Sequence, residues 1–171
     1  MRGLRSRAAA LGLVAGLTLA RPAAAEPPQV EHQPVPCTVP GQAISLCATI
    51  TDDGEVVKAR LFFRPADDKY YSFVEMEFGG ISYCGTLPAP REGKLKALDY
   101  YVQAIDQEFE SQRTSTYRLA VQPPGVCEFP PLEKDATRAQ SIVVHATNKK
   151  QGRKLPEGFV ATGVTLAGQA N

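Results

Sequence analysis

The chain has 171 residues, and its 19 Lys and Arg residues against 18 Asp and Glu residues give a formal net charge of +1. Four of the basic residues and none of the acidic ones lie in the first 25 positions, so residues 26–171 carry 15 − 18 = −3. This acidic balance argues against a nucleic-acid partner, which needs basic surface. The length suits one domain of ordinary size.

The first 25 residues have the pattern of a secretory signal peptide. Three arginines precede an uncharged run over residues 8–20, and the triplet Ala23–Ala25 follows it. A basic segment, an apolar segment of this length and small residues at the cleavage point are the three parts of such a signal. We therefore expect cleavage after Ala25 and export to the periplasm or the extracellular space. The alternative is an uncleaved anchor.

Short segments with alternating apolar and polar residues follow one another from Val30 to Gln122, separated by turn signals such as Asp52-Asp53-Gly54. Alternation with a period of two predicts half-buried strands. The predicted strands cover 30–36, 42–51, 56–64, 71–78, 81–87, 98–106 and 114–121. About seven short strands without helical periodicity are typical of an all-β, antiparallel two-sheet sandwich. Residues 98–106 are expected in the middle of a sheet, and Ile81 is expected on an inward face.

All four cysteines, Cys37, Cys47, Cys84 and Cys127, lie in the part of the chain that we expect to be exported. An even number of cysteines in an oxidising compartment predicts two disulfides. A zinc site is the alternative use of four thiols. The chain contains no C-x-x-C pair, and this disfavours zinc.

Three segments carry a resemblance to a known family: ISLCATITDDGEVVKARLFFRP, FVEMEFGGISYCGTLPAP and LDYYVQAID. They resemble the fibronectin type III and immunoglobulin-like β-sandwich modules of secreted bacterial proteins. The resemblance implies that strands A, B and E form one sheet and strands C, C′, F and G the other. It implies nothing about activity, because such sandwiches serve many unrelated functions.

The resemblance also implies a disulfide pairing. Strands B and E are neighbours in the implied order, and they carry Cys47 and Cys84. A disulfide between these two leaves Cys37 and Cys127 to tie the two ends of the sandwich together. The chain has no tryptophan, which disfavours an antibody-type domain, whose buried disulfide packs on one.

We divide the chain into a signal peptide over 1–25, a sandwich domain over 26–122 and a C-terminal extension over 123–171. Residues 141–147 and 159–166 of the extension have the pattern of short strands. They predict either a β-hairpin packed on the sandwich or a loosely ordered tail, since two strands alone are marginal in water. The basic loop Lys149–Lys154 is either solvated or in contact with acidic envelope polymers.

Two acidic loops emerge from the same end of the implied fold. Oxygen-rich clusters of this kind bind Ca²⁺, which takes six to eight oxygen ligands. The alternative is a pair of ordinary solvated loops, because turns favour Asp. The candidate calcium ligands are Asp52, Asp53, Glu55, Asp106 and Glu108, with Glu110 beside them.

Four aromatic residues are the candidate binding residues. Phe109 is the one apolar residue of the second acidic loop, and it is a candidate partner contact. The alternative is that its ring folds over the end of the sheet. Tyr70, Tyr71 and Tyr101 are candidates for a glycan-stacking strip, with ordinary cross-strand packing as the alternative.

The chain offers little for catalysis. His32 and His145 are its two histidines, and neither lies in a nucleophile motif with Ser, Cys or Asp. Nucleotide-binding and zinc-hydrolase motifs are absent from the sequence. We therefore predict a non-catalytic binding or structural module of the cell envelope, with a protein or envelope component as partner and no cofactor beyond the candidate calcium. The alternatives are a glycan-binding module and a hydrolase that uses the loop carboxylates.

Overall fold

The computed structural model describes residues 26–128 and 141–168. The secondary structure of this part is entirely β, with 12 strands in two sheets. The predicted all-β sandwich fold is therefore confirmed. Within the described ranges, no helix has the length and apolar character that a membrane crossing requires. The predicted signal peptide lies outside these ranges.

The smaller sheet has four strands in the order β1, β3, β7, β6, which are Gln29–Glu31, Ile44–Thr51, Tyr83–Leu87 and Glu77–Phe78. All of its pairs are antiparallel. In the implied nomenclature β1, β3 and β7 are strands A, B and E. Their observed order is the one that the resemblance implies.

The larger sheet has the order β12, β11, β5, β4, β8, β10, β2. These strands are Val164–Ala167, Ile142–Ala146, Ser72–Glu75, Val56–Pro65, Ala97–Asp106, Tyr117–Val121 and Cys37–Thr38. The short strand β9, Ser111–Arg113, also pairs with β8. The strands that correspond to C, C′, F and G are β4, β5, β8 and β10, and they lie in one sheet as the resemblance implies. The predicted strand 71–78 is wrong as a single strand, because its second part, β6, pairs with β7 in the smaller sheet.

The core lies between the two sheets and is built from every second residue of the long strands. On β8, Leu98, Tyr100, Val102 and Ala104 are completely buried, while Tyr101 and Gln103 on the other face are half-buried. Fully burying one such apolar side chain contributes about 1.5–3 kcal/mol. The period of two in the sequence therefore sets which face of each strand enters the core.

The C-terminal extension adds two strands to the larger sheet. Strand β11 pairs antiparallel with β5, but β12 pairs in parallel with β11. The predicted β-hairpin is thus wrong, because parallel neighbours need a crossover connection. The crossover brings Phe159 into the core, where it is 1% exposed and its ring contacts the edge of Phe63.

Both disulfides that the resemblance implies are present. Cys47 and Cys84 are directly opposite each other on β3 and β7. Cys37 and Cys127 are bonded across 90 residues of sequence, with their Cα atoms 5.8 Å apart. Two disulfides fit an oxidising, exported location.

A hydrogen-bonded pair of rings, His32 after β1 and Tyr100 on β8, joins the smaller sheet to the larger one. The Nδ1 of His32 donates to the carbonyl oxygen of Cys47 (2.7 Å), so its Nε2 accepts from the hydroxyl of Tyr100 (3.0 Å). That hydroxyl also accepts from the backbone N–H of Val35 (3.1 Å). The hydroxyl of the buried Tyr100 side chain therefore both donates and accepts a hydrogen bond.

Of the two disulfides, the one between Cys37 and Cys127 should contribute more to the free energy of unfolding. In the chain-entropy description, a loop of 90 residues contributes about 4–5 kcal/mol and one of 37 residues about 3–4 kcal/mol. We expect the double variant Cys37→Ser/Cys127→Ser to have a lower urea midpoint than Cys47→Ser/Cys84→Ser. Equal midpoints would contradict this ranking.

Replacing Tyr100 with phenylalanine should destabilise the fold by about 1–3 kcal/mol at neutral pH, because His32 and Val35 lose a partner. Burial raises the pKa of the Tyr100 phenol above its ordinary value of 10.0. The stability that this group contributes is thus complete below about pH 10 and is lost as pH rises through the raised folded-state pKa. Urea titrations across this range should show a smaller alkaline loss in Tyr100→Phe than in the wild type. If Tyr100→Phe and the wild type lose the same stability at alkaline pH, the phenol of Tyr100 is not buried.

Candidate binding site

Three loops emerge from one end of the sandwich. Strand β3 stops at Thr51, β4 starts at Val56, and Val56 is paired with Asp106, the last residue of β8. Strand β7 starts at Tyr83 opposite Ala48, so the hairpin before it extends towards the same end. We call this end, formed by residues 52–55, 77–82 and 106–112, the acidic end.

The acidic end carries acidic residues and no basic ones. Its three loops contain seven carboxylates and no lysine or arginine. The carboxylates are Asp52, Asp53, Glu55, Glu77, Asp106, Glu108 and Glu110. The end therefore has a strongly negative potential, although the whole chain is close to neutral.

A buried carboxylate holds the turn between β8 and β9. Asp106 is completely buried, and its Oδ1 accepts from the backbone N–H of Glu110 (2.8 Å). The backbone N–H of Asp106 donates to the Glu110 carbonyl (3.1 Å), and that of Phe109 donates to the Asp106 carbonyl (3.3 Å). These bonds close a tight turn, so its tip is ordered before any partner binds.

The first acidic loop is fastened to this turn. The backbone N–H of Gln107 donates to the carbonyl of Glu55 (3.0 Å). A Cβ on Gly54 would lie 2.9 Å from the Gln107 side-chain nitrogen, which shows how closely the two loops approach. The two loops therefore form one surface.

Phe109 occupies the tip of the turn in an unfavourable conformation. Its φ is +66°, the one positive φ of a non-glycine residue in the part of the chain that the structure describes, and its side chain is 85% exposed. A residue with a Cβ pays about 1–2 kcal/mol for the left-handed region, which favours glycine. The predicted exposed aromatic is thus present, and its ring does not fold over the end of the sheet.

Further apolar side chains are exposed at the acidic end. Phe78 is 60% exposed and Ile81 is 87% exposed, on either side of the Gly79-Gly80 turn. The predicted inward position of Ile81 is wrong, because β7 begins only at Tyr83. The exposure of Phe78 and Ile81 was not predicted, although a Gly-Gly turn between two apolar residues is a visible signal of a hairpin tip.

Two carboxylate oxygens at this end lack partners. Asp106 Oδ2 and Asp52 Oδ1 are buried without a hydrogen bond. Leaving such a group unsatisfied costs about 1–3 kcal/mol, more when it is charged. These oxygens and the backbone conformation of Phe109 therefore lower the free energy of unfolding.

The five predicted calcium ligands do not form a ligand group. Within residues 26–128 and 141–168, no three His, Cys, Asp or Glu side chains come together as a set that could hold a metal ion. Asp106 points into the sandwich, whereas Asp53, Glu55 and Glu108 are exposed on the outside. Asp52 accepts from the backbone N–H of Gly54 (3.0 Å) and acts as a turn residue.

The predicted tyrosine strip belongs to a packed row of rings on the outer face of the larger sheet. The ring of Tyr101 stacks on Phe62 at 4.7 Å, and the Arg113 guanidinium lies 5.0 Å from its centroid. Burial raises the pKa of Tyr101, and the charge of Arg113 opposes that rise. Tyr71 meets Tyr101 edge-on at 67°.

The row continues across the sheet. Phe73 contacts Phe62 at 5.2 Å, and His145 stacks on Phe73 at 4.7 Å. Tyr70 contacts Lys69 in the loop between β4 and β5. The faces of these rings therefore contact other side chains of the same chain. They do not form the flat, coplanar platform on which a sugar would stack. Cross-strand packing is the role that the contacts support.

Comparisons with known proteins add little. No protein-family model matches the chain, and no curated protein matches its sequence. The crystal structure of a mutant SrpA adhesin from Streptococcus sanguinis is similar with a TM-score of 0.39 and 15% sequence identity, over 68% of this chain and 69% of the adhesin chain.

Replacing Phe109 with glycine should stabilise the protein by up to about 1 kcal/mol, because glycine adopts this φ without strain and little buried area is lost. Phe109→Ala is the matched control, since it removes the ring but keeps the Cβ. Thermal unfolding should rank the glycine variant above the alanine variant. A loss of stability in both would show that the ring packs on the sheet.

Proposed function

We propose that the protein is an exported, non-catalytic β-sandwich module that binds a protein partner in the cell envelope through its acidic end. The observation that carries this proposal is Phe109, a large apolar residue that is exposed and strained at once. Glycine at this position would fold better. A binding role explains why an aromatic side chain stands there, since exposed aromatics in ordered loops are typical anchors of interfaces.

The charges around Phe109 indicate the chemistry of the partner. Glu108 and Glu110 flank the ring, and both are exposed. An apolar side chain between two carboxylates is complementary to an apolar pocket with a basic rim. We therefore expect a partner surface with lysine or arginine around a hydrophobic hollow.

The hydrogen bonds of Asp106 favour binding because they order the turn before a partner arrives. Ordering a flexible loop on binding costs about 0.5–1.5 kcal/mol for each immobilised side chain. Here the turn is already closed by the Asp106 carboxylate and by the contact of Gln107 with Glu55. The tip thus enters a complex with part of that cost removed.

The two alternative functions have less support. A glycan-binding module needs free ring faces, and the stacking of Tyr101 on Phe62 occupies one of them. A hydrolase needs convergent carboxylates. Asp52 and Asp106 instead accept backbone hydrogen bonds in their own turns.

Affinity capture tests the proposal with three immobilised proteins, each covering residues 26–171: wild type, Phe109→Gly and Val126→Ser. Val126 is 62% exposed in the turn after β10, whose last residues pair with the start of β8 at the opposite end from the acidic loops, and it is the matched control. From an envelope extract we expect the wild type and the control to retain the same species. The glycine variant should lose them, and salt should weaken the capture because exposed charges are screened.

Equal retention by all three proteins would contradict the proposal. Because Phe109→Gly is expected to fold at least as well as the wild type, a loss of capture cannot be attributed to unfolding.

A further inference from the structure

The opposite end of the sandwich is basic. Strand β4 ends at Pro65 opposite Leu98, and β11 ends at Ala146 opposite Ser72, so the loops 66–70, 88–96 and 147–154 lie together at that end. These loops contain eight exposed basic residues and three acidic ones. The basic residues are Lys69, Arg91, Lys94, Lys96, Lys149, Lys150, Arg153 and Lys154; the acidic residues are Asp67, Asp68 and Glu92.

The basic end contains a hollow whose lining is partly polar and partly apolar. A cleft of about 370 Å³ lies between Arg91 and Lys94 on one side and the segment 155–159 on the other. Leu155 and Pro156, which are half-buried, supply apolar surface, and Glu157 is its one carboxylate. This volume lies in the range of about 300–1,000 Å³ that is usual for ligand sites.

Backbone contacts hold the walls of the cleft in place. The backbone N–H of Arg91 donates to the Gly158 carbonyl (2.7 Å), and its guanidinium donates to the Phe159 carbonyl (3.2 Å). Phe159 is itself anchored in the core. The cleft is therefore formed before a ligand arrives.

We propose that the occupant of this cleft is the acidic end of a second copy of the chain. The Phe109 ring of one copy enters the cleft of the next, and Glu108 and Glu110 face Arg91 and Lys94. This inference rests on the proposed function, because it names one partner for the same tip. It follows from complementarity on a single molecule, which carries both an aromatic tip between carboxylates and a partly apolar hollow with two basic residues at its side.

The contact joins two different surfaces, so it is heterologous. Such a contact leaves a free tip at one end of a dimer and a free cleft at the other, and further copies can add. The association should be salt-sensitive, since the charges are exposed and the Debye length falls from about 10 Å at 0.1 M salt to about 3 Å at 1 M.

Sedimentation velocity on purified residues 26–171 tests this, at concentrations up to about 1 mM, where even weak association is populated. We expect the wild type to form a ladder of species that shortens at high salt. Phe109→Gly lacks the tip, and Lys94→Glu reverses the charge at the cleft. Each variant alone should remain monomeric. Lys94 is exposed, and its replacement should leave the fold intact, which near-ultraviolet circular dichroism checks.

An equimolar mixture of the two variants gives the decisive result. The intact tip of Lys94→Glu can enter the intact cleft of Phe109→Gly, and neither partner can then extend. The mixture should therefore contain 1:1 dimers and nothing larger. A wild type that stays monomeric, a mixture without dimers, or single variants that still associate would each overturn the inference. Loss of self-association with continued Phe109-dependent capture from the extract would leave the proposed function standing.

Discussion

The antiparallel pairing of β4 with β8 is the constraint on which the rest of the structure depends. It runs from Val56 opposite Asp106 to Pro65 opposite Leu98, almost the full length of both strands. The inward faces of these strands supply much of the core, and their ends fix where the loops emerge. A shift of one residue in this register would turn the buried face outward and separate the acidic loops.

That register also segregates charge. It brings the loops without lysine or arginine to one end and most of the exposed basic loop residues to the other. Two residues at the end of β8 and in the turn that follows it depart from locally favourable structure. Asp106 stabilises the turn through its Oδ1 but buries an unpartnered Oδ2, and Phe109 holds a backbone conformation that suits glycine. Local departures of this kind concentrate at functional sites.

The sequence predicted the strands well where alternation was strong. The predicted strand 98–106 is observed as Ala97–Asp106, because its side chains alternate between core and surface without interruption. The fold resemblance supplied the strand order and the disulfide partners. The alternation was wrong about Ile81, since alternation alone does not say where a strand begins after a Gly-Gly turn.

Other features depend on contacts between residues that are far apart in the chain, and a local pattern cannot show them. The stacking of His145 on Phe73 and the entry of Phe159 into the core attach the C-terminal extension to the sandwich. The predicted hairpin is wrong because β12 pairs in parallel with β11 after a crossover, and local alternation does not specify the direction of pairing. The left-handed φ of Phe109 was equally invisible, because the sequence places an aromatic residue where the turn calls for glycine.

We propose that the acidic end is the contact surface of this molecule. Hydrogen–deuterium exchange measures it most directly, by comparing dilute protein with concentrated protein and with protein bound to its captured envelope partner. The account predicts slower exchange in residues 52–55 and 106–112 on association, with little change in β5 and β11 of the larger sheet. Protection confined to the outer strands of that sheet, with the acidic loops unchanged, would contradict it.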